Sequence, residues 1–387
     1  MKRHILTIII LCSLPLIAKA AVKGFPKVNE QGMAGHQFAL YNNGVAATIC
    51  TDNLDYPVVG IAAGLLADDV ERVTATKPAI AHPARLEDVK ANCAVIAGTI
   101  GKSNLIDELV AKGKIHVDEI RGKWESFLVT TIEKPAKHIG EALVIVGSDR
   151  RGTAFGLLSL SEAIGVSPWY WWADVVPQHQ EQLMISRGTF IQGEPSVKYR
   201  GIFINDERFG GWARWAEENF DKEHHEVGPK TYWKVFELLL RLKGNYLWPA
   251  MHPGTKPFNF DPENARLADD YAIVMGTSHC EQMLRNNEGE WKAVGTYGDF
   301  NYITNRQTMQ NYWEERIKTN GRYENTYTLG LRGVHDYPME GANTTQERVR
   351  LMQQAINDQR DMLRRNINKP IEEIPQVLCT YEEVLDA

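Results

Sequence analysis

Arg200-Gly201-Ile202-Phe203-Ile204-Asn205-Asp206-Glu207 is a short apolar run that ends abruptly in amide and carboxylate side chains. The form returns four times. Tyr246-Leu247-Trp248 runs into Pro249-Ala250-Met251-His252, and Ala272 to Met275 runs toward Ser278-His279-Cys280-Glu281. Tyr327 to Leu331 leads to Arg332-Gly333-Val334-His335-Asp336, and Gln376 to Cys379 leads to Tyr381-Glu382-Glu383. Each run has the length of a buried strand. Helical patterns lie between them. From Lys230 to Lys243, Tyr232, Val235, Phe236, Leu239 and Leu242 share one helical face, and Gly244 stands where a C-cap belongs. From Thr304 to Lys318 the inward set is Met309, Tyr312, Trp313 and Ile317. Thr344-Thr345-Gln346-Glu347 has capping-box form, followed by Val349, Met352, Ile356 and Leu363 at helical spacing.

Strands alternating with helices imply parallel pairing through right-handed crossovers. An open doubly wound sheet gathers its ligand site at one switch point, whereas here polar side chains recur after every strand. That recurrence favours a (β/α)8 barrel, whose active site is built from the loops at the carboxyl ends of the strands. The expected fold is therefore α/β: an N-terminal α/β domain over residues 21–196, then a TIM barrel over 197–387 that stops after about five strands.

The first twenty residues read as a signal peptide. Lys2, Arg3 and His4 give a positive start, Ile5 to Ile17 an apolar run, and Ala18-Lys19-Ala20 a small-x-small cleavage site. The apolar run is shorter than the roughly 20 residues needed to span a bilayer. The expectation is export to the periplasm or the extracellular space, with no membrane span in the mature chain. In the domain that follows, strands are expected at Val58 to Leu66, Ala94 to Ala97, Phe127 to Ile132 and Ala142 to Val146, with helices at Asn104 to Ala111 and Ala154 to Ile164. The glycine loops Gly98 to Ser103 and Gly147 to Thr153 match neither the P-loop nor the dinucleotide fingerprint, so they read as strand-to-helix turns. Ser167-Pro168-Trp169-Tyr170-Trp171-Trp172 concentrates aromatic area that suits packing at a domain junction better than an exposed sugar platform. Residues 177–196 are expected to be a linker with a short strand.

A formal charge of -6 over 387 residues offers no clustered basic surface for nucleic acid. The cysteines of the mature chain, Cys50, Cys93, Cys280 and Cys379, lack zinc spacing. His279 and His335 with Asp206 form a metal set by residue type only, since no H-x-H or H-x-x-x-H spacing joins them. Glu223-His224-His225-Glu226 reads as a solvated loop. No G-x-S-x-G elbow is present for a serine hydrolase. What remains is carboxylate chemistry. Asp206 and Glu207, Asp336, and Glu382 and Glu383 are the residue types that hydrolyse glycosides, one acid protonating the leaving oxygen and one carboxylate activating water or attacking. Helix N-termini attract the same residues through the dipole, and for Glu382 and Glu383 that structural role weighs equally.

The motifs Arg200 to Glu207, Lys243 to Met251 and Gly276 to Met283 resemble those of the xylan α-1,2-glucuronidases of glycoside hydrolase family 115. Gly147 to Gly152 and Ser167 to Trp172 look like that family's N-terminal domain. The resemblance implies inverting hydrolysis of α-1,2-linked glucuronic acid or its 4-O-methyl ether from glucuronoxylan or aldouronic acids. It implies no organic cofactor and a homodimer at full length. It places Asn205, Asp206, Glu207, Trp248, His279 and Glu281 in the pocket, Asp336 as general base and Glu383 as general acid. Arg332 and Arg208 are candidates to clamp the uronate, because a guanidinium meets a carboxylate bidentately. Family members run longer, so this chain alone is expected to be inactive. The alternatives are a noncatalytic carbohydrate-binding remnant and another barrel glycosidase such as a hexosaminidase.

Overall fold

The computed structural model describes residues 24–29, 37–205, 211–222, 227–252, 255–292 and 295–385. The stretch 1–20 expected to be a signal peptide, Asp206, Glu207, Arg208 and the 223–226 cluster lie outside the described residues. Those described form a mixed α/β fold with several sheets.

In the first unit the strands are β1 (Phe38–Asn42), β2 (Val45–Ala46), β3 (Thr48–Cys50), β4 (Ile80–Ala81), β5 (Cys93–Thr99), β6 (Phe127–Ala136), β7 (Ile139–Gly147), β8 (Leu183–Ile185) and β9 (Thr189–Gln192). The helices are α1 (Pro57–Thr74), α2 (Asn104–Ala111) and α3 (Arg150–Ala163). A six-stranded sheet runs in the order β4-β3-β5-β7-β6-β9. Alternate residues of a strand face opposite sides. Accordingly Val95, Ala97, Leu143 and Ile145 pack under α1 and α3, while Ala94, Ile96, Val144 and Val146 pack against Leu105, Ile106 and Leu109 of α2.

Two expectations fail here. The run Val58 to Leu66 is not a strand but the first half of α1. Its buried residues continue as Val58, Val59, Ala62, Ala63, Leu66, Ala67, Val70 and Val73, a three-four spacing that an unbroken apolar run conceals. Pro57 opens the helix, where its missing N–H costs nothing. Residues 177–196, expected to be a linker with one short strand, carry two: β8 completes a small antiparallel sheet with β1, and β9 pairs with β6.

The second unit holds β10 (Gly201–Phe203), α4 (Trp212–Asn219), α5 (Pro229–Arg241), β11 (Tyr246–Trp248), α6 (Pro262–Asp270), β12 (Val274–Met275), α7 (Arg306–Asn320), β13 (Tyr327–Leu329), α8 (Thr345–Asn366) and β14 (Gln376–Leu378). β10, β11 and β12 pair in parallel, as do β13 and β14. The parallel bridge from Met275 to Asn325, with Thr326 N donating to Met275 O at 2.9 Å, joins the two groups. The result is one parallel arc in chain order. Gly201 has to be glycine, since a Cβ there would fall 1.7 Å from Tyr246 O. Met309, Tyr312, Trp313 and Ile317 of α7 are buried, and the capping box of α8 is formed in full. At the end of α5 the left-handed position is Lys243 (φ 57°), not Gly244, which follows it and donates to Leu239 O at 2.7 Å.

A continuous core joins the units. Trp171 and Trp172 pack on Trp215 and Phe220, and Trp172 Nε1 donates to Lys234 O at 3.2 Å, so these indoles serve the junction. Buried Arg241 of α5 forks onto buried Asp69 of α1 at 2.7 and 3.1 Å and also holds Glu237 at 2.9 Å. Burial pushes the Glu237 carboxyl up, but Arg241 and Lys234 outweigh it and hold the group below 4.5. Glu324 is likewise held low against burial, by Arg151 and Arg150. A carboxylate with a depressed folded pKa contributes its full stability above its unfolded value and loses it as pH falls through the folded value. The denaturation midpoint is therefore expected to fall steeply once pH drops below 4.5. In Arg241→Met and Arg151→Met the midpoint, lower at neutral pH, should depend less on pH in that window; an unchanged slope in urea titrations would count against these pairs.

Candidate functional site

Each polar group at issue follows a strand of the arc, so parallel pairing delivers all of them to one edge. The loop after β13 is the most constrained. Gly330 takes φ 111° and His335 φ 60°, a left-handed conformation unusual for a side chain larger than glycine. This bend sets Arg332, His335 and Asp336 beside the Tyr381-Glu382-Glu383 turn that follows β14.

Arg332 is 1% exposed and organises the acids. Its Nε donates to Glu383 Oε1 at 3.1 Å and its Nη2 to Glu383 Oε2 at 2.8 Å, a two-point fork, and Nη2 also reaches Glu382 at 2.9 Å. The third nitrogen, Nη1, stands 3.7 Å from Asp336 Oδ1. The guanidinium lies 4.8 Å from the Tyr381 ring centre. In this arrangement the fork expected to meet a uronate is filled by Glu383. Buried Glu383 also accepts from Met339 N at 3.3 Å.

Asp336 is half-exposed, at 45% for the side chain. His279 Nε2 lies 2.6 Å from its Oδ1, and His335 Nδ1 lies 3.3 Å from its Oδ2. Burial pushes the carboxyl up, but the His279 hydrogen bond, the two imidazoles and Arg332 prevail and hold it below the usual carboxylate range. It is thus an ionised acceptor with an open side. The His279 ring in turn lies tilted against the Tyr381 ring, their centres 4.1 Å apart. Beyond His335 the contacts continue, His335 Nε2 to His252 Nδ1 at 3.3 Å and His252 Nε2 to Asn205 Oδ1 at 2.9 Å.

The structure therefore brings Asn205, His279, Arg332, Asp336 and Glu383 into one bonded set. Trp248 and Glu281 sit on neighbouring strand ends but are held by their own surroundings. Trp248 Nε1 donates to Tyr246 OH at 2.7 Å, and buried Glu281 accepts from Ser278 Oγ at 3.0 Å and Ser278 N at 3.3 Å. The residues that the sequence left without a role are His252 and Tyr381, and His335 was weighed only as a metal ligand; their positions in the strand-end clusters were the available signal.

His279, Cys280 and Asp336 bring one donor atom each within 4.8 Å of one another. The chemistry suits a metal poorly. Burial pushes the Cys280 thiol far above its ordinary range, so a metal would have to displace its proton and also part His279 Nε2 from Asp336.

A half-exposed ionised carboxylate beside a buried acid on the next strand end is the equipment of a glycoside hydrolase. Residues 192–387 match the sequence model of glycosyl hydrolase family 115, and the chain belongs to that family. Over 90% of its length it is similar to a solved 4-O-methyl-α-glucuronidase of family GH115 with specificity for decorated arabinogalactans, at 38% identity and a TM-score of 0.80. The chain spans 44% of that protein's length. A Streptomyces plicatus β-hexosaminidase aligns with 86% of this chain and 62% of its own, at 11% identity and a TM-score of 0.49. A Vibrio harveyi GH20 exo-β-N-acetylglucosaminidase aligns with 92% and 54%, at 10% and 0.43. No curated protein matches.

Proposed function

We propose that this chain carries the acid-base centre of an inverting α-glucuronidase that removes α-1,2-linked glucuronic acid or its 4-O-methyl ether from a plant glycan. The observation that carries this reading is the Asp336-Arg332-Glu383 set in a family 115 chain. Asp336 is the general base: a water bound at its open side loses a proton to the carboxylate while its oxygen attacks the anomeric carbon. Glu383 is the general acid: ionised in the Arg332 fork, it takes up a proton from solvent on leaving that fork and gives this proton to the departing sugar oxygen. The freed fork then meets the uronate carboxylate. That sequence makes Arg332 a switch partner for two carboxylates, and it asks for a substrate whose own acid replaces Glu383. Asn205, Asp206, Glu207, Trp248, His279 and Glu281 complete the pocket in this reading.

The same proposal makes the parallel arc the first part of a (β/α)8 barrel, with the domain division near residue 196. Ile202 and Phe203 on β10 and Leu378 on β14 are 45%, 38% and 49% exposed, and they mark edges where further strands would pair. The leader-like start supports export, and among the described residues no helix is long and apolar enough to cross a membrane. Pairing of two copies belongs to the same family-based reading.

With its edges open, the 387-residue chain assayed alone is expected to release no glucuronic acid. Joined to the later strands of the similar 4-O-methyl-α-glucuronidase, it should release it from aldouronic acids and from glucuronylated arabinogalactan fragments. Which glycan is cleaved faster decides between xylan and the arabinogalactan preferred by that relative. A folded joined protein that binds these sugars without cleaving them would establish the noncatalytic reading, and cleavage of N-acetylhexosaminides alone would establish the hexosaminidase one.

A further inference from the structure

Tyr381 stands between the group that holds the base and the group that holds the acid. Its ring centre lies 4.1 Å from that of His279, with the planes 34° apart, and 4.8 Å from the Arg332 guanidinium. His279 Nε2 in turn meets Asp336 Oδ1 at 2.6 Å, and Arg332 forks onto Glu383 at 3.1 and 2.8 Å. The strand ends after β12, β13 and β14 thus converge on one side chain. Both contacts are made by the ring, and neither uses the hydroxyl.

The backbone explains how the ring comes to lie there. Tyr381 is extended, at φ -128° and ψ 132°, and its carbonyl accepts from Val384 N at 3.1 Å, while Glu382 takes φ 47°. A left-handed conformation is uncommon outside glycine, and such positions gather at functional sites. Here it turns the chain between the ring and the acid. Tyr381 is left against His279, and buried Glu383, two residues on, returns to Arg332 and to Met339 N.

An imidazole held through one nitrogen is fixed at a point but not in its plane, because the χ2 torsion of histidine is broad. The tilted contact with Tyr381 supplies the second constraint on His279. For Arg332 the aromatic face does the same, since a planar guanidinium packs over such a ring.

We propose that Tyr381 is a positioning residue whose ring keeps His279 on Asp336 and Arg332 on Glu383, so that one side chain fixes the base and the acid relative to each other. The proposal rests on the reading of Asp336 as base and Glu383 as acid, and deepens it. Inverting hydrolysis needs a set gap between the two carboxyl groups, roughly 6.5 to 9.5 Å. Neither loop defines that gap alone, and the Tyr381 ring touches the holder of each carboxyl group. The groups that face Asp336 among the described residues are His279 and Cys280 from the loop after β12 and Arg332 and His335 from its own loop. Tyr381 acts on the base through the first and third of these.

The first test is made in the 387-residue chain itself. In folded Tyr381→Leu the Asp336 carboxyl, followed by 13C titration, should rise toward its ordinary 3.8, because the His279 hydrogen bond that lowers it is loosened. Tyr381→Phe keeps the ring and should titrate as the parent does. An unchanged Asp336 titration in Tyr381→Leu overturns the proposal, and so does an equal rise in Tyr381→Phe. Should Tyr381→Leu fail to fold, Tyr381→Gln, which also lacks the ring, gives the same reading. In the joined protein, Tyr381→Leu should lower kcat by about 10- to 100-fold with KM nearly unchanged, as a misplaced catalytic group does, and Tyr381→Phe should restore it. A raised KM at unchanged kcat would make the ring a sugar platform and would overturn the proposal. Failure of the hydrolase reading would appear as a joined parent without activity, and the titrations would still decide the role of the ring.

Discussion

Asp336→Asn in the joined, closed-barrel protein is expected to slow glucuronic acid release by about 10²- to 10⁴-fold, the range that general acid-base groups contribute. The loss should fall on kcat and kcat/KM alike, because the carboxylate works on water and gains its interaction only as the proton moves. Folding should hardly change. The side chain is half-exposed, and asparagine preserves the shape and the Oδ1 acceptor that His279 Nε2 meets at 2.6 Å. Glucuronic acid release followed by anion-exchange chromatography gives the rate, and far-ultraviolet circular dichroism gives the fold. A variant within tenfold of the parent would remove Asp336 from the base position. The choice of asparagine matters here. Alanine would also free His279 and His335, so its loss would mix catalysis with reorganisation of the imidazoles.

The arc was legible because each strand is short, apolar and followed at once by polar residues. Tyr246-Leu247-Trp248 is a strand with the bounds that the pattern suggests, and the inward residues of α7 and the capping box of α8 stand as read. Pattern failed where period was hidden. Val58 to Leu66 is apolar on nearly every residue, and only the continuation through Val70 and Val73 shows the helical spacing that put it in α1. At the site, residue type and strand-end position located Asp336, Glu383 and His279, but not what they bind. That Arg332 grips Glu383 depends on how the two loops after β13 and β14 approach, which no local pattern encodes. The meeting of His252 and His335 was hidden for the same reason, since 83 residues separate two rings that meet at 3.3 Å.

The second large effect lies at the opposite end of the strands. Arg200, Asn245, Ala272 and Glu324 precede β10, β11, β12 and β13, and all of them meet a buried network from the first unit. Glu125, just before β6, is its centre: Oε1 accepts from Arg151 Nε at 2.6 Å and Asn245 Nδ2 at 2.7 Å, and Oε2 accepts from Arg200 Nη2. Arg151, 2% exposed, goes on to Ala272 O at 3.0 Å and Glu324 at 2.6 Å. Removing Glu125 strands the buried Arg151 Nε, and a buried donor left without an acceptor costs about 1 to 3 kcal/mol. Glu125→Ala is therefore expected to lose about that much in urea denaturation, with Arg151 still paired to Glu324 through its Nη1. Glu125→Gln should lose less, because its amide oxygen still accepts from Arg151 and Asn245. Since the network holds the amino ends of the strands and the acids stand at the carboxyl ends, the folded variant should keep the Asp336 titration of the parent. A loss below about 1 kcal/mol would show that water replaces Glu125, because a surviving charge pair elsewhere cannot satisfy the Arg151 Nε donor once it is buried without an acceptor.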